Sequence, residues 1–326
     1  MTGRESPLSV VTHGTPVWLP AGGDGYRRIV ADTAQVHGVE LSKPDKMLFP
    51  DDGITKLDLA TYYDSIAAVM LPHLRGRPVN MQRFPDGIEA QAFYEKKVPS
   101  HFPDWVHSAQ VDTADGPQRQ VVVHDARSLV FLAQQACITP HTWLSREDDL
   151  DRPDQLIFDL DPSDDGPDTL TKVRRATRLV GERLDQVGLR SYLKTTGSRG
   201  YHVLVPLRRA ADFDDVRAFA RRLAKDLVEK EPDLLTLEHR KEKRGDRIFV
   251  DVLRNGYGQT AAPPYAVRPR SGAPVSTPIA WDELSRIEPA QHDIRSVRRR
   301  LRSRRCPWAE IRRHPQGLAT ASKRLG

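Results

Sequence analysis

Apolar side chains recur with the period of an α-helix in several stretches of this chain. One helix is predicted to begin after Thr55, with Asp58 three positions later as the second member of a capping box. Its apolar face is formed by Leu59, Tyr62, Ile66 and Met70. Three more helices are predicted, over residues 126–138, 169–187 and 213–229.

Short apolar runs bounded by turn residues predict strands between these helices, over residues 78–85, 121–123, 156–160, 190–194, 203–207 and 247–251. Asp159 and Asp161 lie two positions apart in one such run, so they point to the same face of a strand. Neighbouring carboxylates repel each other unless a cation lies between them, which indicates a divalent metal site. The alternative is a solvated turn after a buried strand, because Pro162 and Gly166 follow.

The composition indicates a soluble globular protein. A length of 326 residues with 38% hydrophobic and 29% charged side chains allows one large or two modest domains. No apolar run is long enough to span a membrane and the N-terminus lacks the apolar region of a signal peptide, so we expect a cytoplasmic protein without membrane partners. Cys137 and Cys306 are far apart, which predicts neither a disulfide framework nor a cysteine zinc site.

The net charge of +6 is concentrated near the C-terminus. Residues 286–326 contain twelve Lys or Arg and three acids, a net charge of +9, which leaves −3 for the first 285 residues. Arginine clusters bind nucleic acid through counterion release, so a polyanionic partner is expected, and a solubilising tail is the alternative. Ile294, Val297 and Leu301 share one helical face, which predicts that this segment docks onto the core.

Two further stretches carry chemistry. Residues 195–202 combine glycines, hydroxyls, Arg199 and His202, as a triphosphate pocket requires, although glycine-serine turns are also common between strands. Asp251 ends another apolar strand, and Arg254 and Arg268 follow it. Three carboxylates from two strands, together with several arginines, indicate metal-dependent phosphoryl or nucleotidyl transfer.

Two lysines and two aromatic residues near the N-terminus are weaker candidates. Lys56 in the first turn of the predicted helix opposes the helix dipole unless an anion is bound there, so Lys46 and Lys56 are a candidate phosphate pair. Two exposed lysines without a ligand are the alternative. Phe93 and Tyr94 lie beside basic residues and suit stacking on a base, or they belong to the core. His141, taken alone, is typical of a structural histidine.

Together these residues resemble the polymerase domain of bacterial ligase D, in the archaeo-eukaryotic primase superfamily, over about residues 41–284. The resemblance is carried by three motifs, at residues 158–162, 196–202 and 250–255. It implies an α+β fold with a primase-type catalytic core, a mainly antiparallel sheet flanked by helices, and an N-terminal module packed on it. The expected division is an irregular arm (1–38), a primase-polymerase domain (39–285) with a phosphate-binding module (39–120) and a catalytic core (121–285), and a basic tail (286–326).

The resemblance implies template-directed nucleotide addition that fills gaps or extends broken ends in DNA repair and favours ribonucleotides. Two Mn2+ or Mg2+ ions would be held by Asp159, Asp161 and Asp251. The nucleotide would contact His141, Thr196, Ser198, Arg199, His202, Arg254 and Arg268. A DNA 5′ phosphate would be held by Lys46 and Lys56, and the template by Arg83, Phe93 and Tyr94.

The expected partners are gapped or 5′-phosphorylated DNA, NTP or dNTP, the Ku end-binding protein and a separate DNA ligase, in the bacterial cytoplasm at the nucleoid. Two positions depart from the family pattern: Thr196 replaces a serine, and Gln82 stands where a basic residue is expected beside Arg83. End joining, excision-repair gap filling and priming all stay open.

Two other classes are weighed against the polymerase. A haloacid-dehalogenase-type phosphatase would use Asp159 as its nucleophile, but that motif usually opens the fold and here a long segment precedes it. A non-catalytic protein that bridges DNA ends would use the basic tail and the lysine pair. Metal-dependent primer extension would exclude the second alternative.

Overall fold

The computed structural model describes residues 18–21, 25–28, 33–113 and 116–326, the first two ranges by their backbone alone. The α-helices are α1 Lys56–Leu74, α2 Ala126–Gln134, α3 Thr169–Gln186, α4 Phe213–Lys230, α5 Ser296–Ser303 and α6 Ala319–Leu325. The strands are β1 Trp18–Ala21, β2 Gly25–Arg28, β3 Thr33–Val36, β4 Val39–Ser42, β5 Met47–Phe49, β6 Ile54–Thr55, β7 Pro78–Arg83, β8 Phe93–Glu95, β9 Ser108–Val111, β10 Gln118–Val122, β11 Cys137–Trp143, β12 Gln155–Pro162, β13 Tyr192–Thr195, β14 Tyr201–Pro206, β15 Leu235–Thr236, β16 Ile248–Asp251, β17 Thr260–Ala261 and β18 Pro278–Ile279.

Two six-stranded sheets form the body of the protein. The first sheet has the order β17-β11-β7-β10-β9, with β8 also paired to β7, and all of its pairs are antiparallel. The second has the order β15-β16-β12-β14-β13-β18 and is antiparallel except for the pair β15–β16. The predicted α+β fold with mainly antiparallel sheets flanked by helices is confirmed.

Each sheet has its own apolar core. Helices α1 and α2 pack on each other and share a core with the first sheet, and the predicted capping box of Thr55 and Asp58 begins α1. Helices α3 and α4 cover the second sheet, where the alternate residues Leu156, Phe158 and Leu160 of β12 are buried in their core. This alternation leaves Asp159 and Asp161 on the opposite face of β12.

Strand β17 brings the chain from the second sheet back to the first. It follows the last long strand of the second sheet, β16, but pairs with β11 of the first sheet. The chain therefore crosses back between the sheets immediately after the third motif. This crossing places side chains of the first sheet next to the carboxylates of the second.

One predicted helix is too long. The helix expected over residues 126–138 ends at Gln134, and Ala136 has a left-handed backbone with φ 54°. Cys137 and Ile138 then begin strand β11, which continues to Trp143. The apolar run across this boundary is buried in both elements, so periodicity alone did not separate helix from strand.

The expected N-terminal arm, residues 1–38, lies partly outside the described residues. Within it, β1 pairs with β2, and β3 pairs with β4, which lies just beyond residue 38. The expected boundary at residue 121 falls inside β10. Strands β7 to β11 of the first sheet precede β12, and β17 joins that sheet from beyond β16.

The basic C-terminal segment docks onto the core, as its apolar face predicts. Val297 of α5 is fully buried, Ile294 is nearly so, and Trp308 is buried with its indole N–H donating to the carbonyl of Leu193 at 2.9 Å. Arg300 of α5 pairs with the buried Glu283. Among the residues that the structure describes, no helix is long and apolar enough to cross a membrane.

Candidate active site

The three carboxylates lie on adjacent strands. In the antiparallel register, Asp159 of β12 stands opposite His202 of β14 on one side and opposite Asp251 of β16 on the other. Residues directly opposite each other project from the same face, so these side chains form a row across three strands, and Asp161 follows two residues further along β12. The pairing of the strands in the second sheet therefore brings Asp159, Asp161 and Asp251 together, as predicted.

The cations around the row only partly offset its charge. Burial by itself raises the pKa of Asp159, but the Nε2 of His202 at 3.3 Å, together with Arg254 and Lys194, lowers it well below the ordinary value. Burial and the charge of Asp159 raise the pKa values of Asp161 and Asp251. Both carboxylates therefore carry repulsion that a bound cation would relieve. Three carboxylates are the oxygen donor set that Mg2+ and Mn2+ prefer, so the residues fit the expected ions.

Arginines approach the carboxylates at longer range. The Nε of Arg254 lies 3.8 Å from an oxygen of Asp159 and 3.8 Å from one of Asp251. The Nη2 of Arg199 lies 3.7 Å from Asp161, while its Nη1 pairs with the exposed Asp165 at 3.2 Å. The separations of 3.7 and 3.8 Å from Asp159, Asp161 and Asp251 are too long for hydrogen bonds, so Arg254 and the Nη2 of Arg199 attract these carboxylates by charge and keep donors for another anion.

The turn of the second motif is pressed against β12. A Cβ on Gly200 would lie 1.9 Å from the carbonyl oxygen of Leu160, and Gly197 has φ +66° with Arg268 close behind it. The hydroxyl of Thr196 donates to the Gly200 carbonyl at 2.9 Å and accepts from two backbone N–H groups of the turn. Thr196 thus holds the turn through the hydroxyl that a serine would also supply.

A cavity of about 380 Å³ opens above the carboxylate row. It is lined by all three predicted metal ligands and by all seven predicted nucleotide contacts, namely His141, Thr196, Ser198, Arg199, His202, Arg254 and Arg268. Tyr94 also lines it. Two buried polar atoms of these lining residues, the Nε of Arg268 and the Nδ1 of His202, have no hydrogen-bond partner among the described residues.

A larger cavity of about 760 Å³ lies elsewhere, beside α3 and around Trp281 and Trp308. It contains none of the predicted site residues. Size alone therefore does not select the site, and the concentration of ionisable side chains does.

The first sheet contributes His141, held by a residue that departs from the family pattern. The Nε2 of His141 lies 3.1 Å from Oε1 of Gln82, and its ring lies 5.6 Å from that of Tyr94. Burial, with Arg268 and Arg254 nearby, lowers the pKa of His141 well below its ordinary value, so the ring is neutral. Gln82 thus orients a neutral histidine toward the cavity.

Two charged residues at the site, Lys194 and Arg244, were not predicted from the sequence. Lys194 is 1% exposed, its Nζ donates to Ser276 Oγ at 2.7 Å, and burial with nearby Arg268 lowers its pKa to about 7. Arg244 lies 3.8 Å from Asp161 and stacks over Phe249, with its guanidinium carbon 3.9 Å from the ring centre. The sequence did contain a signal for Lys194, because a lysine within the apolar strand that precedes the second motif is unusual.

The predicted phosphate lysines lie next to each other, outside the cavity lining. The backbone N–H of Lys56 donates to the Lys46 carbonyl at 2.9 Å, and the Lys56 Nζ donates to the Ser42 carbonyl at 2.8 Å. Lys46 pairs with the exposed Asp86 at 2.9 Å. Burial, followed by the charges of Lys46, Lys43 and Arg83, lowers the pKa of Lys56. Four cations thus converge, and Lys43 is the one that sequence reasoning missed.

The predicted template residues divide into two groups. Tyr94 is 55% exposed and lines the cavity, whereas Arg83 and Phe93 do not. Arg83 pairs with Glu95, donates to the Gln135 carbonyl at 2.7 Å, and lies 5.3 Å from the ring centre of Phe93. Phe93 is 44% exposed and, as the neighbour of Tyr94 in β8, points to the opposite face of that strand.

Comparison with known proteins identifies the family. The family model of the LigD primase-polymerase domain matches residues 55–308, which is most of the chain. The chain belongs to the LigD primase-polymerase family. This confirms the resemblance carried by the three motifs and sets aside the haloacid-dehalogenase alternative.

Named relatives and a solved structure agree with this family. The chain is 34% identical over 304 residues to a multifunctional non-homologous end joining protein LigD of Pseudomonas aeruginosa, covering 90% of this chain and 35% of that protein. It is 30% identical over 298 residues to a bifunctional LigD of Bacillus subtilis, covering 89% of this chain and 47% of that protein. The chain therefore spans less than half of these two relatives.

The structural match is to the polymerase domain of Mycobacterium tuberculosis ligase D in complex with DNA. The TM-score is 0.79 with 30% sequence identity, and the match covers 85% of this chain and 99% of that domain. The chain therefore has the fold of that polymerase domain.

Proposed function

We propose that this LigD-family chain catalyses template-directed nucleotidyl transfer that fills short gaps or extends broken ends during DNA repair. The observation that supports this most strongly is the row formed by Asp159 and Asp251 on adjacent strands, with Asp161 beside it, at a cavity lined by arginines. Carboxylates that hold divalent ions next to cationic phosphate binders are the arrangement of phosphoryl-transfer enzymes.

Asp159, Asp161 and Asp251 would hold two Mn2+ or Mg2+ ions. These ions would lower the pKa of a primer 3′ hydroxyl and neutralise the charge of the leaving pyrophosphate. Arg199 and Arg268 bind the triphosphate through charge-assisted hydrogen bonds. Ser198 lies in the tight turn of the second motif beside them. The Nε2 of His202 lies 3.3 Å from Asp159. Burial, with Lys194 nearby, lowers the pKa of His202 to about 4, so the ring is neutral and orients the Asp159 carboxylate.

The remaining predicted contacts serve the sugar and the DNA. The neutral ring of His141 contacts the bound nucleotide. A preference of the enzyme for ribonucleotides is part of this proposal. Arg254 spans Asp159 and Asp251 and bridges nucleotide and template. Tyr94 and Phe93 stack on exposed bases at the cavity rim, with Arg83 behind Phe93.

The lysine cluster is proposed to bind a DNA 5′ phosphate. Burial, followed by the charges of Lys46, Lys43 and Arg83, lowers the pKa of Lys56, and a bound anion would relieve the repulsion among these cations. The relatives are named non-homologous end joining proteins, and the solved polymerase domain was studied with DNA. We therefore propose Ku and a separate DNA ligase as partners, and a location at the bacterial nucleoid.

The test is nucleotide addition to a primer that faces a short gap, in Mn2+, with and without a 5′ phosphate on the downstream strand. Templated addition by the wild type should be lost in Asp159→Asn, which removes one charge and keeps the shape of the side chain. Lys46→Gln with Lys56→Gln should keep addition but lose the stimulation by the 5′ phosphate. NTP and dNTP added in parallel test the sugar preference.

The opposite outcome has a defined meaning. If the folded wild type binds the gapped duplex but adds no nucleotide in Mn2+ or Mg2+, the polymerase proposal is wrong. A DNA end-bridging role would then be tested by ligation of two blunt duplexes with a separate ligase.

A further inference from the structure

Outside the cavity, one cluster of metal-binding side chains occurs among the described residues. It comprises His107, His124 and Glu147, none of which lines the active-site cavity. His107 directly precedes β9, His124 follows the end of β10, and Glu147 lies in the connection between β11 and β12. Because β9 and β10 are antiparallel neighbours, the start of one and the end of the other meet at the same edge of the first sheet.

The backbone fixes the three positions. The Val122 N–H donates to the His107 carbonyl at 2.9 Å, which extends the β9–β10 pairing up to the histidines. The Glu147 N–H donates to the Gly76 carbonyl at 2.7 Å, so the connection is anchored behind the end of α1. Three separate segments therefore present their side chains to one point without depending on the flexibility of a single loop.

The side-chain geometry suits an ion. The Nε2 of His107 lies 2.7 Å from one oxygen of Glu147, and the Nε2 of His124 lies 2.7 Å from the other. All three ligand atoms lie within 4.8 Å of one another. Zinc binds imidazole nitrogen and carboxylate oxygen at about 2.0–2.2 Å, so small rotations of these partly exposed side chains would bring all three into contact with one ion.

We propose that His107, His124 and Glu147 bind a divalent transition-metal ion, with zinc as the reference ion, at a site distinct from the catalytic carboxylates. Two imidazoles and one carboxylate are a mixed nitrogen and oxygen donor set that favours zinc over the oxygen-preferring Mg2+. Three protein ligands leave at least one position for water. The ion would join the edge of the first sheet to the connection that leads into β12, the strand of Asp159.

The competing explanation is a metal-free cluster in which both imidazoles donate N–H groups to Glu147. The neighbouring cations bear on the choice: Arg146 is paired with Asp154, with its Nε 2.6 Å from the carboxylate, while Arg75 donates to the His124 carbonyl at 3.1 Å. Neither arginine pairs with Glu147, whose ion-pair contacts among the described residues are to the two histidines.

The test is a zinc titration of the full chain, freed of metal, against a chromophoric zinc chelator in saturating Mg2+ that occupies the catalytic carboxylates. The wild type should bind one more zinc ion than the double variant His107→Gln, His124→Gln. Glu147→Gln should bind that ion at least about 10-fold more weakly, and His101→Gln, which removes an exposed histidine outside the cluster, should bind as the wild type does. Co2+ should give a visible absorption band that the double variant lacks.

Two controls keep the result interpretable. Equal melting temperatures of the wild type and the double variant in chelator show that the variant is folded. Asp159→Asn should retain the extra zinc ion, so this site and the proposed polymerase activity can fail independently. Equal zinc binding by the wild type and the double variant, or loss of the extra ion in Asp159→Asn, would overturn the proposal.

Discussion

Asn255 makes hydrogen bonds that hold β12, the strand of Asp159 and Asp161, so its substitution is the sharpest test of how the site is built. The residue is fully buried. Its Oδ1 accepts from the Ile157 N–H at 2.9 Å, and its Nδ2 donates to the carbonyls of Ile157 and Val252 at 2.7 and 2.9 Å. Strand β16 pairs with β12 only from Asp159 onward, so this side-chain amide continues the ladder past the end of β16.

Asn255→Ala removes all three side-chain hydrogen bonds and leaves the N–H and the carbonyl of Ile157 buried without a partner, whereas the Val252 carbonyl keeps the backbone N–H of residue 255 at 3.2 Å. A lost hydrogen bond costs about 1 kcal/mol and a buried unsatisfied group costs more, so the free energy of unfolding should fall by about 3 kcal/mol. At about 2 °C per kcal/mol for a chain of this size, the melting temperature should fall by about 6 °C. Asn255→Asp should be at least as damaging, because it turns carboxylate oxygens toward two carbonyls.

The assay is thermal unfolding by differential scanning fluorimetry, with urea unfolding for the free energy, in metal-free buffer. Leu253→Ala, a change at a partly exposed position in the same turn, is the matched control and should shift the melting temperature by about 1 °C or less. Nucleotide addition by Asn255→Ala should also fall, since Ile157 lies two residues before Asp159. A melting temperature equal to that of Leu253→Ala would refute the assigned role of the amide.

Substitutions at three other places test the packing, the charges and the DNA contacts. Gly200→Ala puts a carbon atom 1.9 Å from the Leu160 carbonyl oxygen, so it should melt well below the wild type in fluorimetry, and equal melting would contradict the close approach. Lys194 has a pKa of about 7 in the folded protein, against an ordinary 10.5, so between these pH values the unfolded chain binds more protons than the folded protein does. Stability in urea should therefore rise from about pH 7 to about pH 10, and Lys194→Met should flatten this rise; an unchanged profile would argue against a buried lysine. Arg299→Gln and Arg302→Gln remove exposed charges of α5, and each lost phosphate contact should reduce the slope of log affinity against log salt by about 0.9 in fluorescence anisotropy. Equal slopes would show that α5 does not bind DNA.

Local patterns in the sequence were sufficient for the four helices α1 to α4, for six of the strands and for the three motifs. The alternation of β12 fixes Asp159 and Asp161 on one face because side chains in a strand have a period of two. The capping box at Thr55 fixes the start of α1 because it satisfies backbone donors within four residues. The error at Cys137 has the opposite cause: a buried apolar run has no period that distinguishes helix from strand.

Tertiary structure alone decided which elements are neighbours. The pairing that sets Asp251 opposite Asp159, the return of β17 to the first sheet, and the burial of Lys194 depend on long-range packing, which no local period encodes. The same holds for the cluster of His107 and Glu147, whose segments have no motif spacing and meet only because strands and connections end at one edge. The sequence by itself determined which side chains are chemically competent, since residue type and local period are properties of a few neighbouring positions. The fold decided which of them act together, since strand order is chosen by the burial of the whole apolar surface.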